Sequence, residues 1–121
     1  MSGTQARRAA NRRGLRAEAL AAVWLNLRGY RVAARRFSCP LGEIDLVVRR
    51  GRTVAFVEVK SRADAARAGE AITAAKRARI AAAARAWIAA HPEDGARDCR
   101  FDAILMRPWK LPLLIEDAWR E

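Results

Sequence analysis

Gly42-Glu43-Ile44-Asp45-Leu46-Val47-Val48, then Arg49-Arg50-Gly51-Arg52, then Val54-Ala55-Phe56-Val57-Glu58-Val59-Lys60, decide how this chain folds. Two strongly β-forming runs flank a short polar turn containing glycine, the pattern of an antiparallel hairpin. Asp45, Glu58 and Lys60 stand in otherwise apolar strands, where a charge is tolerated only when paired or bound to a metal. A turn symmetric about residues 50 and 51 sets Val48 opposite Thr53, Asp45 opposite Phe56 and Glu43 opposite Glu58. Opposed residues share a face, and so do residues two apart along a strand. Asp45, Glu58 and Lys60 then emerge on one side, with Asp45 diagonal to Glu58 at roughly 7–8 Å. A slip of one residue would separate them, so the reading depends on register.

Outward from the hairpin, Leu15, Ala19, Ala22, Val23 and Leu27 form a helical stripe within 11–28, and Gly29 supplies the stop. Residues 30–37 read as a strand whose arginines suit a sheet edge. Residues 61–69 are a polar, alanine-rich connection. A second helix is expected over 70–90, with Ile72, Lys76, Ile80, Ala84 and Trp87 or Ile88 on its buried face. It ends in His91-Pro92-Glu93-Asp94-Gly95. Strands follow at 100–106 and 113–116. The order α-β-β-β-α-β-β, with a helical crossover after the hairpin, implies an α/β fold: a mixed sheet covered by helices on both faces. Apolar on both faces, 54–59 belongs at the centre.

At 121 residues the chain makes one domain. Residues 1–10 read as a basic flexible arm and 11–121 as the folded unit. A formal charge of +11 points to a polyanionic partner, nucleic acid before anionic membrane. An Ala/Arg compositional bias is the bland source of much of that charge. Against it, Lys60, Lys76 and Lys110 are the only lysines among 24 cations, so a lysine at 60 or 76 is the less expected choice. No span approaches the roughly 18 apolar residues of a membrane helix. Cys39 and Cys99 lie in no CxxC or Cys/His cluster and read as free thiols of a reducing compartment, a disulfide between them being the alternative. The cytoplasm is the expected location.

The chemistry follows from the triplet. Asp45 and Glu58 offer carboxylates to a hard divalent cation, Mg²⁺ with Mn²⁺ as substitute, which keeps waters and phosphate oxygens as its other ligands. Lys60 is placed to orient a water or to stabilise charge on a scissile phosphate. The only histidine, His91, lies in a turn, which argues against zinc hydrolases, and no glycine-rich phosphate loop is present. The competing reading is a solvated Glu58–Lys60 ion pair at a sheet edge. Lys76 either snorkels from the buried stripe or reaches across to the phosphate or Glu58. Glu18 is either a surface acid paired with an arginine or a third carboxylate near the metal, and Glu43 is a possible substitute ligand. Asp102 reads as a structural partner for an arginine. The four tryptophans suit core or interface anchoring, with Trp109, between Pro108 and Lys110, the one placed for exposure.

At these residues the chain resembles the YraN family of small bacterial proteins, assigned to the PD-(D/E)xK nuclease superfamily. The likeness runs from Gly14 to Trp119. It is carried by Gly42-Glu43-Ile44-Asp45-Leu46 and Phe56-Val57-Glu58-Val59-Lys60, with Gly14, Glu18, Gly29-Tyr30, Arg62, Lys76, Phe101-Asp102 and Ile115-Glu116-Asp117-Ala118-Trp119 beside them. Ala17 stands where the family often has glycine. The resemblance implies a restriction-endonuclease-like three-layer α/β/α sandwich related to Holliday-junction resolvases. It further implies Asp45 and Glu58 as metal ligands, Lys60 as the catalytic lysine and Glu18 as an accessory acid. The expected activity is Mg²⁺-dependent endonucleolytic hydrolysis of DNA, branched or structured DNA included. Arg35, Arg36, Arg49, Arg50, Arg52 and Arg62 would hold backbone phosphates, and two scissile strands would suit a homodimer. The alternative is a nucleic-acid-binding module that keeps the fold without cleaving.

Overall fold

The computed structural model describes residues 3–61 and 72–120, with side chains from residue 14 onward. The chain runs α1 (Gly3–Leu27), β1 (Arg31–Cys39), β2 (Gly42–Arg50), β3 (Thr53–Ser61), α2 (Ala74–Ala90), a helical turn α3 (Pro92–Gly95), β4 (Asp98–Met106) and β5 (Leu113–Trp119). The five strands form one sheet in the order β1-β2-β3-β4-β5. All neighbours are antiparallel except β3 and β4, which run parallel because α2 carries the chain back across the sheet. The arginine-bearing β1 is an edge and β3 is central, as its apolar faces imply.

Two apolar clusters define the layers. Ala21, Ala22 and Leu25 of α1 pack with Tyr30 on Leu46, Val48, Ala55, Val57 and Ile104. Ile80, Ala83, Ala84 and Trp87 of α2 pack on Ile44, Val47, Val54, Phe56, Ala103 and Trp119 across the opposite face. The result is a three-layer α/β/α sandwich.

Three details differ from the sequence expectation. The first helix begins at Gly3 and so takes in residues 3–10, which composition alone had set apart as an arm. Alanine, arginine and glutamine there are good helix formers. Its buried face is Glu18, Ala21, Ala22 and Leu25, while Leu15, Leu20, Val23 and Leu27 are exposed. Small alanines let the helix lie close to the sheet, and that contact outweighs the size of the leucines left outside. In the hairpin, Arg50 pairs with Thr53, Val48 with Ala55 and Leu46 with Val57. The turn is therefore Gly51-Arg52, with Gly51 at φ 58°, a left-handed conformation suited to glycine. This register is two residues from the expected one, and a two-residue shift leaves every side chain on its face. The connection 61–69 and the expected start of α2 at Glu70 fall, from residue 62 on, outside the described residues.

Helix α1 ends as Gly29 foretold. With Gly29 at φ 91°, its N–H donates to Asn26 O at 3.0 Å and that of Tyr30 to Leu25 O at 3.0 Å, a Schellman closure. The closure turns Tyr30 inward, where it is buried. Helix α2 starts at Thr73, whose hydroxyl accepts from the Lys76 amide at 3.2 Å. That cap fixes where Lys76 stands relative to the sheet. Gly42 lets the helix come close: a Cβ there would fall on the Arg79 carbonyl, 2.6 Å from its carbon.

Candidate functional site

The alternation of β2 breaks at Asp45. Ile44 and Val47 belong to the α2-side cluster, whereas Leu46 and Val48 belong to the α1 side. The ladder to β3 is paired from Leu46 to Arg50. Beyond it Asp45 substitutes its side chain, its Oδ2 accepting from the Val59 amide at 2.8 Å. The strands fork here, and a fork opens a polar gap between two apolar layers.

At the gap Asp45 neighbours two buried carboxylates. Glu58 on β3 is buried at 6% exposure and Glu18 on α1 at 8%. Asp45 acts on both through its charge and disfavours their ionised forms. Burial, reinforced by Asp45, raises the Glu58 pKa to about 7 against the opposing pull of Lys76. Burial and then Asp45 also raise Glu18, with Arg36 and Arg35 opposing. Lys76 Nζ lies 2.7 Å from Glu58 Oε1. Burial works against the Lys76 charge, but Glu58, then Asp45 and Glu43, outweigh it and raise the pKa. Arg36 Nε stands 3.7 Å from Glu18 Oε2, too far for a hydrogen bond. That buried oxygen has no hydrogen-bond partner among the described residues.

The donor set suits a hard cation. Among the described residues no three His, Cys, Asp or Glu side chains form a ready metal cage. Mg²⁺ does not require one, since it binds through one or two carboxylates and retains waters. A buried oxygen without a hydrogen bond, its one ion pair a guanidinium 3.7 Å away, beside a repelling Asp45 carboxylate is an arrangement that a divalent cation relieves. The residues present fit such an ion.

The sequence candidates separate into groups. Asp45, Glu58, Glu18 and Lys76 come together. Lys60 lies on the same face of β3 as Glu58 but lines a different cleft of about 200 Å³, with Ile72, Arg77, Ala103, Ile115, Ala118 and Trp119. Lys76, not Lys60, is the lysine paired with the acids; its place on the buried stripe of α2 was the signal for this. Glu43 is exposed opposite Ser38 and acts on the site through its charge on Lys76.

Arg35 and Arg36 are exposed on β1, Arg35 opposite Leu46 on the α1 face, and both act through their charge on Glu18. Arg49, Arg50 and Arg52 lie at the other end of the hairpin. The Arg49 guanidinium is bound to Asp94, Nε to Oδ1 at 2.9 Å and Nη2 to Oδ2 at 2.6 Å. Arg50 lies over the Tyr30 ring at 4.3 Å and donates to the Arg28 carbonyl at 3.3 Å. Arg62 is outside the described residues. Asp102 is held by Arg100, Nε to Oδ1 at 2.8 Å and Nη2 to Oδ2 at 2.8 Å, the structural arginine pairing expected of it. Cys39 and Cys99 are free, and among the described residues no helix is long and apolar enough to cross a membrane.

The sequence alone did not single out Asp94. Fully buried, it accepts from Trp87 Nε1 at 2.8 Å as well as from Arg49, and Arg49 holds its carboxyl below the usual range. Lying among Pro92, Glu93 and Gly95, it was indistinguishable from a solvated turn acid.

Comparison with known proteins gives a consistent lineage. The model of "Uncharacterised protein family UPF0102" matches residues 17–106, which contain all three carboxylates and Lys76. A UPF0102 protein of Methylorubrum extorquens is 53% identical over 93% of this chain and 88% of its own length. One from Paramagnetospirillum magneticum is 50% identical over 97% and 94%, and one from Rhodopseudomonas palustris 52% identical over 94% and 88%. The chain belongs to the UPF0102 family.

Proposed function

We propose that this chain is a metal-dependent endonuclease-like protein that hydrolyses phosphodiester bonds in DNA, structured or branched DNA included. In this reading it is a YraN-type member of the PD-(D/E)xK superfamily with a restriction-endonuclease-like core. One observation carries the proposal: buried Glu58 stands beside Asp45 at the fork of the sheet, with the Lys76 ammonium 2.7 Å away. Asp45 and Glu58 would hold Mg²⁺ or Mn²⁺, with Glu18 as accessory acid. Such an ion, when bound, offsets negative charge on a phosphate and makes water a better nucleophile at neutral pH. Lys76, held by the capped first turn of α2, places its ammonium where charge develops on the scissile phosphate. Arg35 and Arg36, whose charges act on Glu18, hold flanking phosphates. Lys60, in the neighbouring cleft, binds the strand rather than the reacting group. A homodimer would present two such sites to two strands.

The full-length chain is incubated with Mg²⁺ or Mn²⁺ and linear, nicked and four-way-junction DNA, beside Asp45→Asn, Glu58→Gln, Lys76→Met and Lys60→Met. Cleavage is expected to fall by about a hundredfold or more in the first three and less in Lys60→Met. Wild-type protein that cleaves no faster than Asp45→Asn overturns the reading. The Lys76–Glu58 ion pair favours a second reading, because it neutralises a carboxylate that a metal would need: a nucleic-acid-binding module without cleavage. Salt-sensitive DNA binding that ignores Asp45→Asn, with no cut product, would select it.

A further inference from the structure

The loop between β4 and β5 carries a feature that the carboxylate site does not account for. Trp109 is fully exposed at 103%, and its backbone sits at φ 61°. A bulky aromatic residue in a left-handed conformation is strained, and strained, exposed residues gather at ligand-binding positions. The loop is nevertheless tied down: Arg107 Nη2 donates to Leu111 O at 2.7 Å, and the Lys110 amide approaches Arg107 O at 3.4 Å. Trp109 is thus presented on a closed turn with Arg107 and Lys110 on either side.

Topology gives the turn its place. Because β3 and β4 are parallel, Glu58 pairs with Ala103 and Lys60 with Leu105, so the chain leaves β4 at the end of the sheet where the acids stand. From Ala103 to Trp109 the chain reaches no more than roughly 20 Å. The Lys60 cleft, with Arg77 on its wall, lies on the intervening rows, where Ala103 pairs with Ile115. Two cations, Lys60 and Arg77, thus stand at the end of the sheet from which the loop carrying the exposed indole departs.

We propose that Trp109 is a stacking platform for an unpaired nucleobase, with Lys60, Arg77 and Lys110 along the phosphates that lead to it. The class of substrate is then nucleic acid with a single-stranded stretch beside the site. The proposal takes its setting from the nuclease reading, but stacking does not depend on cleavage. A tip of tryptophan, leucine and lysine also suits a lipid surface. The sheet end shared with the acids and with Lys60 and Arg77 favours nucleic acid.

The test uses the full-length chain with chelator present, so that no hydrolysis occurs. Wild type, Trp109→Ala and Trp109→Phe are titrated with labelled oligothymidylate, with a blunt duplex of equal length and with phosphatidylglycerol vesicles. Tryptophan emission is followed in parallel. Trp109→Ala is expected to bind the single strand about tenfold more weakly, while Trp109→Phe stays near wild type and duplex affinity is unchanged. The emission quenched by oligothymidylate should be missing from Trp109→Phe. Equal affinity of wild type and Trp109→Ala for the single strand overturns the proposal. So does an equal loss on duplex, or Trp109-dependent binding to vesicles and not to oligothymidylate. Failure of the cleavage test leaves these outcomes readable, because they report binding alone.

Discussion

Glu58 has two opposed neighbours, the Asp45 carboxylate and the Lys76 ammonium, and burial decides between them. Its pKa rises from 4.5 to about 7. Between those values the folded chain holds a proton that the unfolded chain has released. The associated stability is fully present below about pH 4.5 and is lost as pH climbs to about 7. The shift corresponds to about 3 kcal/mol at most, and Glu18, raised for the same reasons, acts in the same direction. Denaturant titrations across this range are therefore expected to show stability falling as pH rises, and Glu58→Gln should remove most of the slope. A slope that persists in Glu58→Gln would place the titrating group elsewhere. A divalent cation stabilises the ionised acids, so Mg²⁺ is expected to raise the melting temperature more at about pH 8 than at about pH 5. Asp45→Asn should abolish the difference, and equal shifts at both pH values would exclude binding at these carboxylates. Asp45 and Glu58 were legible in the sequence because charge inside an apolar strand needs a reason. The helical stripe drew notice to Lys76, but the strand pattern that holds Lys60 could not show that its ammonium lies in a neighbouring cleft and not on Glu58.

Helix α2 positions the amine of the site, and two residues, Gly42 and Asp94, position the helix. At Gly42 the backbone of α2 lies so close that any side chain meets the Arg79 carbonyl. Gly42→Ala is expected to cost about 1–3 kcal/mol by overpacking and to lift the first turn of α2 from the sheet. Its pH profile should then resemble that of Lys76→Met, because the Lys76–Glu58 pair opens in both. An undisturbed profile would show that the helix accommodates a methyl group. The other end of α2 is held by Asp94, which joins Trp87 on α2 to Arg49 on β2. Asp94→Ala leaves the partly buried Arg49 guanidinium with only Glu93, 3.7 Å away, and takes the acceptor from Trp87 Nε1; a loss of about 3 kcal/mol is expected by urea denaturation. A loss below about 1 kcal/mol would mean that Arg49 finds water. The elements themselves were readable from periodicity, the Gly29 stop and the Gly51 turn. The buried face of α1 was not, because in an alanine-rich helix apolar residues occur on every side. Only contact with the sheet selects Ala21, Ala22 and Leu25 over Val23 and Leu27.

Across the whole molecule a formal charge of +11 is divided between arginines that hold the fold and arginines free to meet a polyanion. Arg49 and Arg100 belong to the first kind, each bound to a buried carboxylate. Arg35 and Arg36 are exposed beside the fork, although Arg36 also faces Glu18. Composition could not make this division, since a bias toward arginine fills both roles with one residue type. Counterion release separates them, because each neutralised phosphate of duplex DNA adds about 0.9 to the slope of log affinity against log salt. Arg35→Gln with Arg36→Gln is therefore expected to lower that slope by between one and two units, roughly, with little change in stability. Arg49→Gln should do the reverse, leaving the slope intact while weakening the fold, because its charge faces Asp94 and not solvent. DNA titrations over a series of salt concentrations, with melting curves on the same samples, measure both quantities. If Arg49→Gln lowers the slope as much as the Arg35 and Arg36 pair does, the polyanion also covers the turn end of the hairpin, and the position of β1 beside Glu18 does not decide binding.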